Sequence, residues 1–464
     1  VKLSDAQHVL AREYGFTSWP ALTAHLSSLA QTGDPVVALS AAVRDDDTAR
    51  VAKLLQAYSA LKARLDEPLP GVPFGGTALL VAVRSGNREM IDLLLSSGAD
   101  INARSHWWAG GFGVLDDDHG LAPFLMERGA VVDAHAAARL GMLARLEALI
   151  AADPAVVHAR GGDGQTPLHL AATIAVAQCL LDHGADINAR DVDHESTPAQ
   201  YLVRERTVVA RYLVERGATT DILLAAALGD LDRVRRHLEA DPGCIRTSVS
   251  STWFPMRDPR AGGTIYIWTL GAHRTAHQIA REFGHPEIVR FLLERSPDQL
   301  RLAVACEAGD ESQVRALLQQ RPGLAEDLTD DDRRRLPIAA EMNNAATVRL
   351  MLAAGWPTGA RGAHGGTALH WAAWHGSADM VRELLRYQPA LDDVDHTYQQ
   401  APLGWALHGS VHSWHREHGD HAGVVRALLQ AGAAVPPQAG EREMSGPVRT
   451  ELERWRDGSP ATDR

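Results

Sequence analysis

Short apolar stretches alternate along the chain with turns of recurring composition. Gly164-Gln165-Thr166 leads into Pro167-Leu168-His169-Leu170-Ala171-Ala172, and a second stretch, Cys179-Leu180-Leu181, runs into Gly184-Ala185-Asp186-Ile187-Asn188-Ala189. The same order returns where Gly76-Thr77-Ala78-Leu79-Leu80 precedes Leu93-Leu94-Leu95-Ser96-Ser97-Gly98-Ala99-Asp100-Ile101-Asn102-Ala103. It returns again where Gly366-Thr367-Ala368-Leu369-His370 precedes Val381-Arg382-Glu383-Leu384-Leu385. This pattern predicts pairs of short helices. Thr caps the first helix of each pair, Pro sits where a missing N–H costs nothing, Ala lets the helices pack closely, and Gly ends them. One pair cannot bury its own apolar face, so successive pairs stack.

These residues resemble the ankyrin repeat, with its Thr-Pro-Leu-His start, paired alanines and Leu-Leu-x-x-Gly-Ala-Asp close. Weaker copies extend the pattern. Ala11-Arg12-Glu13-Tyr14-Gly15 mirrors Ala280-Arg281-Glu282-Phe283-Gly284, and further pairs begin around Val36, Asp133, Thr220, Asp298 and Arg333. The resemblance implies an all-α solenoid of about 13 helix-pair units, each ~33 residues long and joined by β-hairpin fingers. It implies one continuous domain over 1–464, with a capping helix pair at 1–33 and a closing helix at 447–456. The motif histidines His169 and His370 are expected to hydrogen-bond backbone at the finger bases.

Regular repeats serve stability, so departures from them carry the functional information. Four occur. After Asn102 the motif gives way to Ser105-His106-Trp107-Trp108-Ala109-Gly110-Gly111-Phe112-Gly113-Val114-Leu115-Asp116-Asp117-Asp118, with Asp116 at a position that normally packs. It reads as a decayed repeat turned into a loop, or as a Trp-walled acidic pocket. Asp191-Val192-Asp193-His194-Glu195-Ser196 is an enlarged finger tip, either a solvated turn or, through His194 and Glu195, an acid/base pair. An insertion over 247–274 carries Trp253 and the alternating Ile265-Tyr266-Ile267-Trp268, which predicts a longer β-hairpin finger acting as a wall, lid or hydrophobic plug. The last two units carry Trp371, Trp374, His375, Trp405 and His408, and then Trp414 within a His-rich stretch ending at His421. Five His between His408 and His421 offer no ligating pair on a defined element, and no HExxH occurs, so no metal is expected.

Composition changes the picture in two respects. Forty-five per cent hydrophobic and 22% charged residues exclude a collagenous or wholly disordered chain, and a net charge of −12 disfavours nucleic acid and anionic membrane as partners. Eleven Trp outnumber 7 Phe and 7 Tyr, and most of them fall in the four broken segments. Trp serves where a large flat apolar face meets a ligand while an N–H still finds a partner. Three separated Cys without a CxxC read as buried small residues, no apolar run reaches the ~18 residues of a membrane span, and a cytoplasmic location is expected.

Two functions fit. One is a concave pocket for a compact small-molecule or carbohydrate-like ligand. It would be lined by Trp107, Trp108, Trp253, Tyr266, Trp268, Trp371, Trp374, His375, Trp405, His408 and Trp414, and Asp116, Asp118, His194 and Glu195 would be candidates for acid/base catalysis of hydrolase or cyclase type. The other is a scaffold that binds a protein partner through its concave face and finger tips. No nucleophile elbow or phosphate loop is present, and no cofactor is expected.

Overall fold

The computed structural model describes residues 34–117, 119–437 and 439–458. The expected capping pair at 1–33 lies outside them. The chain divides into two compact units: the first runs up to Leu224 and includes Val249–Ala272, and the second comprises Ala225–Ser248 and the chain from His273 onward.

Antiparallel helix pairs build both units, from Pro35–Arg44 with Thr48–Ala57 in the first to Pro402–His412 with His421–Gln430 in the second. Helix starts are set locally. Asp47, Thr77, Asn87, Asp133 and Thr173 each accept a first-turn N–H in the first unit, as Asp230, Asp310, Asn344 and Asp420 do in the second. Packing then follows from the apolar stripe. Leu79, Met90, Ile91, Leu94 and Leu125 form a fully buried cluster in the first unit, and Leu336, Val348, Met351, Leu369, Val381 and Leu428 form one in the second. The terminal helix Gly446–Arg456 lays Val448 and Leu452 onto that second core.

The fingers differ from expectation. Among the described residues there is no strand, only the isolated bridges Ser248 to Thr275 and Arg361 to Thr367. Each regular tip is a single tight turn, such as Gly162–Gly164 or Ala363–Gly365, bridged at its base by the bond from Gly161 N–H to Gln165 O or from Gly362 N–H to Gly366 O. The turn places Asp163 at φ 55° and His364 at φ 57°, in the left-handed region. A tip this short leaves no room for a ladder. The inserted segment likewise makes no β-hairpin: Ile267–Gly271 is a π-helical turn. Its period-two pattern had no strand to pair with: Ile265 N–H goes to Ser196 Oγ of the neighbouring tip, while Ile267 N–H and Trp268 N–H go to Thr264 O and Ile265 O within the insertion itself.

Fingers are tied to each other through the motif histidines. His169 Nδ1 accepts the Thr166 N–H (3.0 Å), so its Nε2–H donates to Ser196 O in the next finger (3.1 Å). His370 repeats the arrangement with Thr367 N–H and Gln400 O. Burial pushes the His169 pKa down to about 3, and burial does the same to His277, whose Nε2 lies 2.9 Å from Ser296 Oγ. Unfolding returns both rings to ordinary values. The unfolded chain therefore takes up protons that the folded chain refuses, and stability present above pH 6.5 is lost as pH falls toward 3, by up to about 1.4 kcal/mol per pH unit per ring. In NMR titrations of the folded protein the ring resonances of His169 and His277 should stay at their neutral positions between pH 7 and 5 while thermal unfolding moves to lower temperature. Rings titrating near pH 6.5 in the folded state would contradict the assignment.

Candidate functional site

In the second unit, helices Ala368–His375 and Pro402–His412 lie side by side, and glycine sets how closely. A Cβ on Gly409 would stand 2.4 Å from Trp374 O, so only glycine permits that approach. The first helix contributes Trp371 and Trp374, the second contributes Trp405 and His408, and the chain after the second brings Trp414 over them. Together they line a cavity of about 610 Å³, completed by His364, Tyr398, Gln400, Gly404, His412, Arg442 and Glu443.

The indoles are arranged edge to face. Trp371 and Trp405 have ring centroids 5.0 Å apart at 83°, Trp374 and Trp414 6.3 Å apart at 82°, and Trp414 stacks over Trp371 at 16°. Trp371 and Trp405 are buried, whereas Trp414 is 69% exposed and stands at the mouth. Trp405 Nε1 donates to Asp395 Oδ2 (2.9 Å), but the buried Nε1 groups of Trp371 and Trp374 have no partner. Two buried donors left without acceptors are costly. At the rim the rings of His408 and His412 are 4.2 Å apart, and His412 Nε2 lies 3.5 Å from Glu443 Oε2. Partial burial, then His412 and Arg442, holds His408 below the ordinary histidine range, so the rim can accept as well as donate.

Asp395 holds the wall. Its carboxylate accepts N–H groups of Thr397, Tyr398 and Gln400 in addition to the Trp405 indole. Burial alone would raise its pKa, but these donors together bring it below the ordinary value. His375 points elsewhere than expected. It is buried, with Nε2–H donated to Glu341 O (2.8 Å), and does not line the cavity.

Several candidates of the first unit are engaged in local contacts. Asp116 accepts the Gly113 N–H (2.6 Å) and pairs with Arg104 (2.9 Å); burial raises its pKa against the pull of Arg104. Trp107 meets Phe74 edge-on at 5.0 Å, and Trp108 lies 4.1 Å beneath the Arg260 guanidinium. Asp118 lies outside the described residues. The enlarged tip and the insertion, read separately in the sequence, are one assembly. Glu195 Oε1 accepts Arg257 N–H and Asp258 N–H, Asp193 O accepts Gly262 N–H, and Ser196 Oγ accepts Ile265 N–H. Trp253 borders a cavity of about 350 Å³ with His194, Glu195 and Phe254, and Trp268 is largely exposed with its ring 4.7 Å from that of His194. Tyr266 is fully buried and donates to Asp221 Oδ2 (2.8 Å), so it anchors the insertion and does not face a ligand. Asp116 and Glu195 border different cavities.

Sequence reasoning missed Tyr398, His364, Arg442 and Glu443 of the aromatic cavity, which sit in an ordinary-looking tip and in the Pro-Gly stretch near the end. It also passed over Asp163, which the regular Gly162-Asp163-Gly164 turn conceals. Burial raises Asp163 to about 6, with His194 opposing and Asp193 and Asp191 adding to the rise.

Family models agree with this architecture. The model for ankyrin repeats (3 copies) matches residues 134–223, 302–397 and 336–438, and that for a single ankyrin repeat matches 74–106. The chain belongs to the ankyrin-repeat family. One curated relative, the serine/threonine-protein kinase VIK of Arabidopsis thaliana, is 49% identical over 51 residues, which span 10% of this chain and 12% of that protein. The human ASB11 ankyrin repeat domain aligns at 20% identity over 66% of this chain and 98% of that one, with a TM-score of 0.25; the family assignment rests on the repeat models. Among the described residues no helix is long and apolar enough to cross a membrane.

Replacing Gly409 by Ala should separate the two Trp-bearing helices. The overpacking should cost about 1–3 kcal/mol, with altered Trp near-UV circular dichroism; an unchanged Tm and spectrum would contradict the close approach.

Proposed function

We propose that this chain is a protein-binding ankyrin scaffold, and that the Trp-walled cavity of its second unit seats an apolar or aromatic anchor presented by the partner. The observation that carries this reading is the meeting of four Trp in one cavity with two buried indole N–H groups lacking acceptors. Binding hot spots are enriched in Trp and concentrate in water-excluding pockets. An extended peptide segment brings what the cavity lacks: a side chain for the aromatic walls. Cys179, Cys244 and Cys306, none of them in a disulfide, fit a reducing cytoplasmic compartment.

One observation favours a second reading. A cavity of about 610 Å³ falls within the size range of small-molecule pockets, so a compact ligand would also fit, with His408, His412 and Glu443 as its polar contacts.

Selection from a displayed peptide library, followed by calorimetry, separates the two. Peptides with an aromatic or large apolar anchor should bind, and Trp374→Ala should weaken them by about 30-fold, corresponding to ~2 kcal/mol. Peptide binding indifferent to Trp374→Ala would overturn the docking assignment. A saccharide or other small ligand that binds in a Trp374-dependent way, with no peptide doing so, would support the second reading.

A further inference from the structure

The tip turns of the first unit bring three ligating side chains together. Asp163, Asp193 and His194 each offer one donor atom, and these atoms all lie within 4.8 Å of one another. All three residues are at least nine-tenths buried, with exposures of 9%, 4% and 7%. His194 Nε2 lies 3.5 Å from Asp193 Oδ2 and 3.8 Å from Asp163 Oδ2.

The tautomer of His194 is fixed from outside the cluster. Its Nδ1 stands 2.8 Å from Gly263 O, and a carbonyl only accepts, so Nδ1 carries the hydrogen. In the neutral ring, Nε2 then presents a lone pair toward two carboxylates. Asp163 Oδ1 is buried with no hydrogen-bond partner; the Trp107 indole, near enough to favour the charged carboxylate, closes no bond to it. Electron-rich groups packed in this way are relieved by a cation among them or by a proton on one of them. A ligating histidine whose other nitrogen donates to a backbone carbonyl is the usual arrangement around a bound metal. Bonds of ~2.0–2.2 Å in tetrahedral geometry put neighbouring donors about 3.4 Å apart, close to the spacing around His194.

Folding of the tip does not require these residues, because the second unit builds the same tip without them. There Asp395 takes the place of Asp191 and Trp405 that of Tyr201, each ring donating to its carboxylate. Val192 N–H and Asp193 N–H bond to Asp163 O in one tip, and His396 N–H and Thr397 N–H bond to His364 O in the other. The positions of Asp163, Asp193 and His194 are thus held by His364, Thr397 and Tyr398. Two carboxylates at these three positions, and none at the equivalent positions of the second unit, point to a local task.

We propose that Asp163, Asp193 and His194 bind a divalent transition-metal ion, zinc best matching one imidazole and two carboxylates, and that the ion fastens two finger tips to the insertion. The link runs through His194 Nδ1–H to Gly263 O and through Asp193, whose main-chain O and Oδ1 both accept the Gly262 N–H (3.0 and 3.2 Å). A Cβ on Gly262 would come within 3.0 Å of Asp193 Oδ2, so glycine keeps the carboxylate free to ligate.

The test is zinc titration of the chelator-stripped full chain by calorimetry, with Co²⁺ as a spectroscopic substitute. The expected result is one site per chain that His194→Gln and Asp193→Asn each weaken at least about 100-fold. In His194→Gln the introduced amide can still donate an N–H to Gly263 O, so circular dichroism should stay native. A His412→Gln, His415→Gln control in the other His-rich stretch should keep the site. Co²⁺ in the unaltered protein should also shift the exchange-protected Nδ1–H resonance of His194, a readout independent of any variant. No uptake, uptake unchanged in both variants, or an unshifted His194 resonance would overturn the proposal and leave an imidazolium–carboxylate pair only.

Discussion

A helix pair in this chain has an apolar stripe on one side and nothing of its own to cover it, so each pair depends on its neighbours. That dependence explains the alanines and glycines at the contacts and the histidines that cross from one finger to the next. His169 and His370 each use both ring nitrogens in this way, one for their own turn and one for the following tip. The stack leaves each unit's variable chemistry to the tips and to the inner helices.

Where the chain spends those positions on something other than stacking, the outcome differs between the units. In the second, two adjacent inner helices carry Trp371, Trp374 and Trp405. Glycine at 409 then keeps the helices close enough for the indoles to enclose a cavity and not splay apart. In the first, the enlarged tip becomes an anchor for an insertion, with backbone N–H groups of Arg257, Asp258, Gly262 and Ile265 collected by Glu195, Asp193 and Ser196. The same tip design, headed by Asp191 or by Asp395, supports a polar cluster in one case and an aromatic wall in the other.

The repeat and its helix pairs were legible because they rest on local signals: Thr, Asp and Asn caps, Gly ends, and helical spacing of Leu and Ala. Trp371, Trp374, Trp405 and Trp414 stood out in the sequence as well, because they cluster in the last two units where the repeat pattern is broken. The insertion misled because Ile265-Tyr266-Ile267-Trp268 has a strand's alternation, and whether a strand forms depends on a partner that only the fold supplies. Tyr266 was misassigned for the same reason, its hydroxyl being claimed by Asp221, far away in sequence. Asp116 and Glu195 lie in distant repeats, and each carboxylate is engaged separately, Asp116 by Gly113 of its own loop and Glu195 by Arg257 and Asp258 of the insertion. Asp163 was invisible because a Gly-Asp-Gly turn is ordinary in a finger and becomes unusual only beside His194.

The central claim is that the indoles of the second unit receive a partner. It is tested most directly by following the indole N–H resonances of nitrogen-15-labelled Trp as a selected peptide is added. Trp371 and Trp374, which line the cavity, should shift, while Trp356, bonded to Asp332 O away from it, should stay in place. Static Trp371 and Trp374 signals, with shifts confined to Trp253 and Trp268, would contradict the account and move recognition to the insertion.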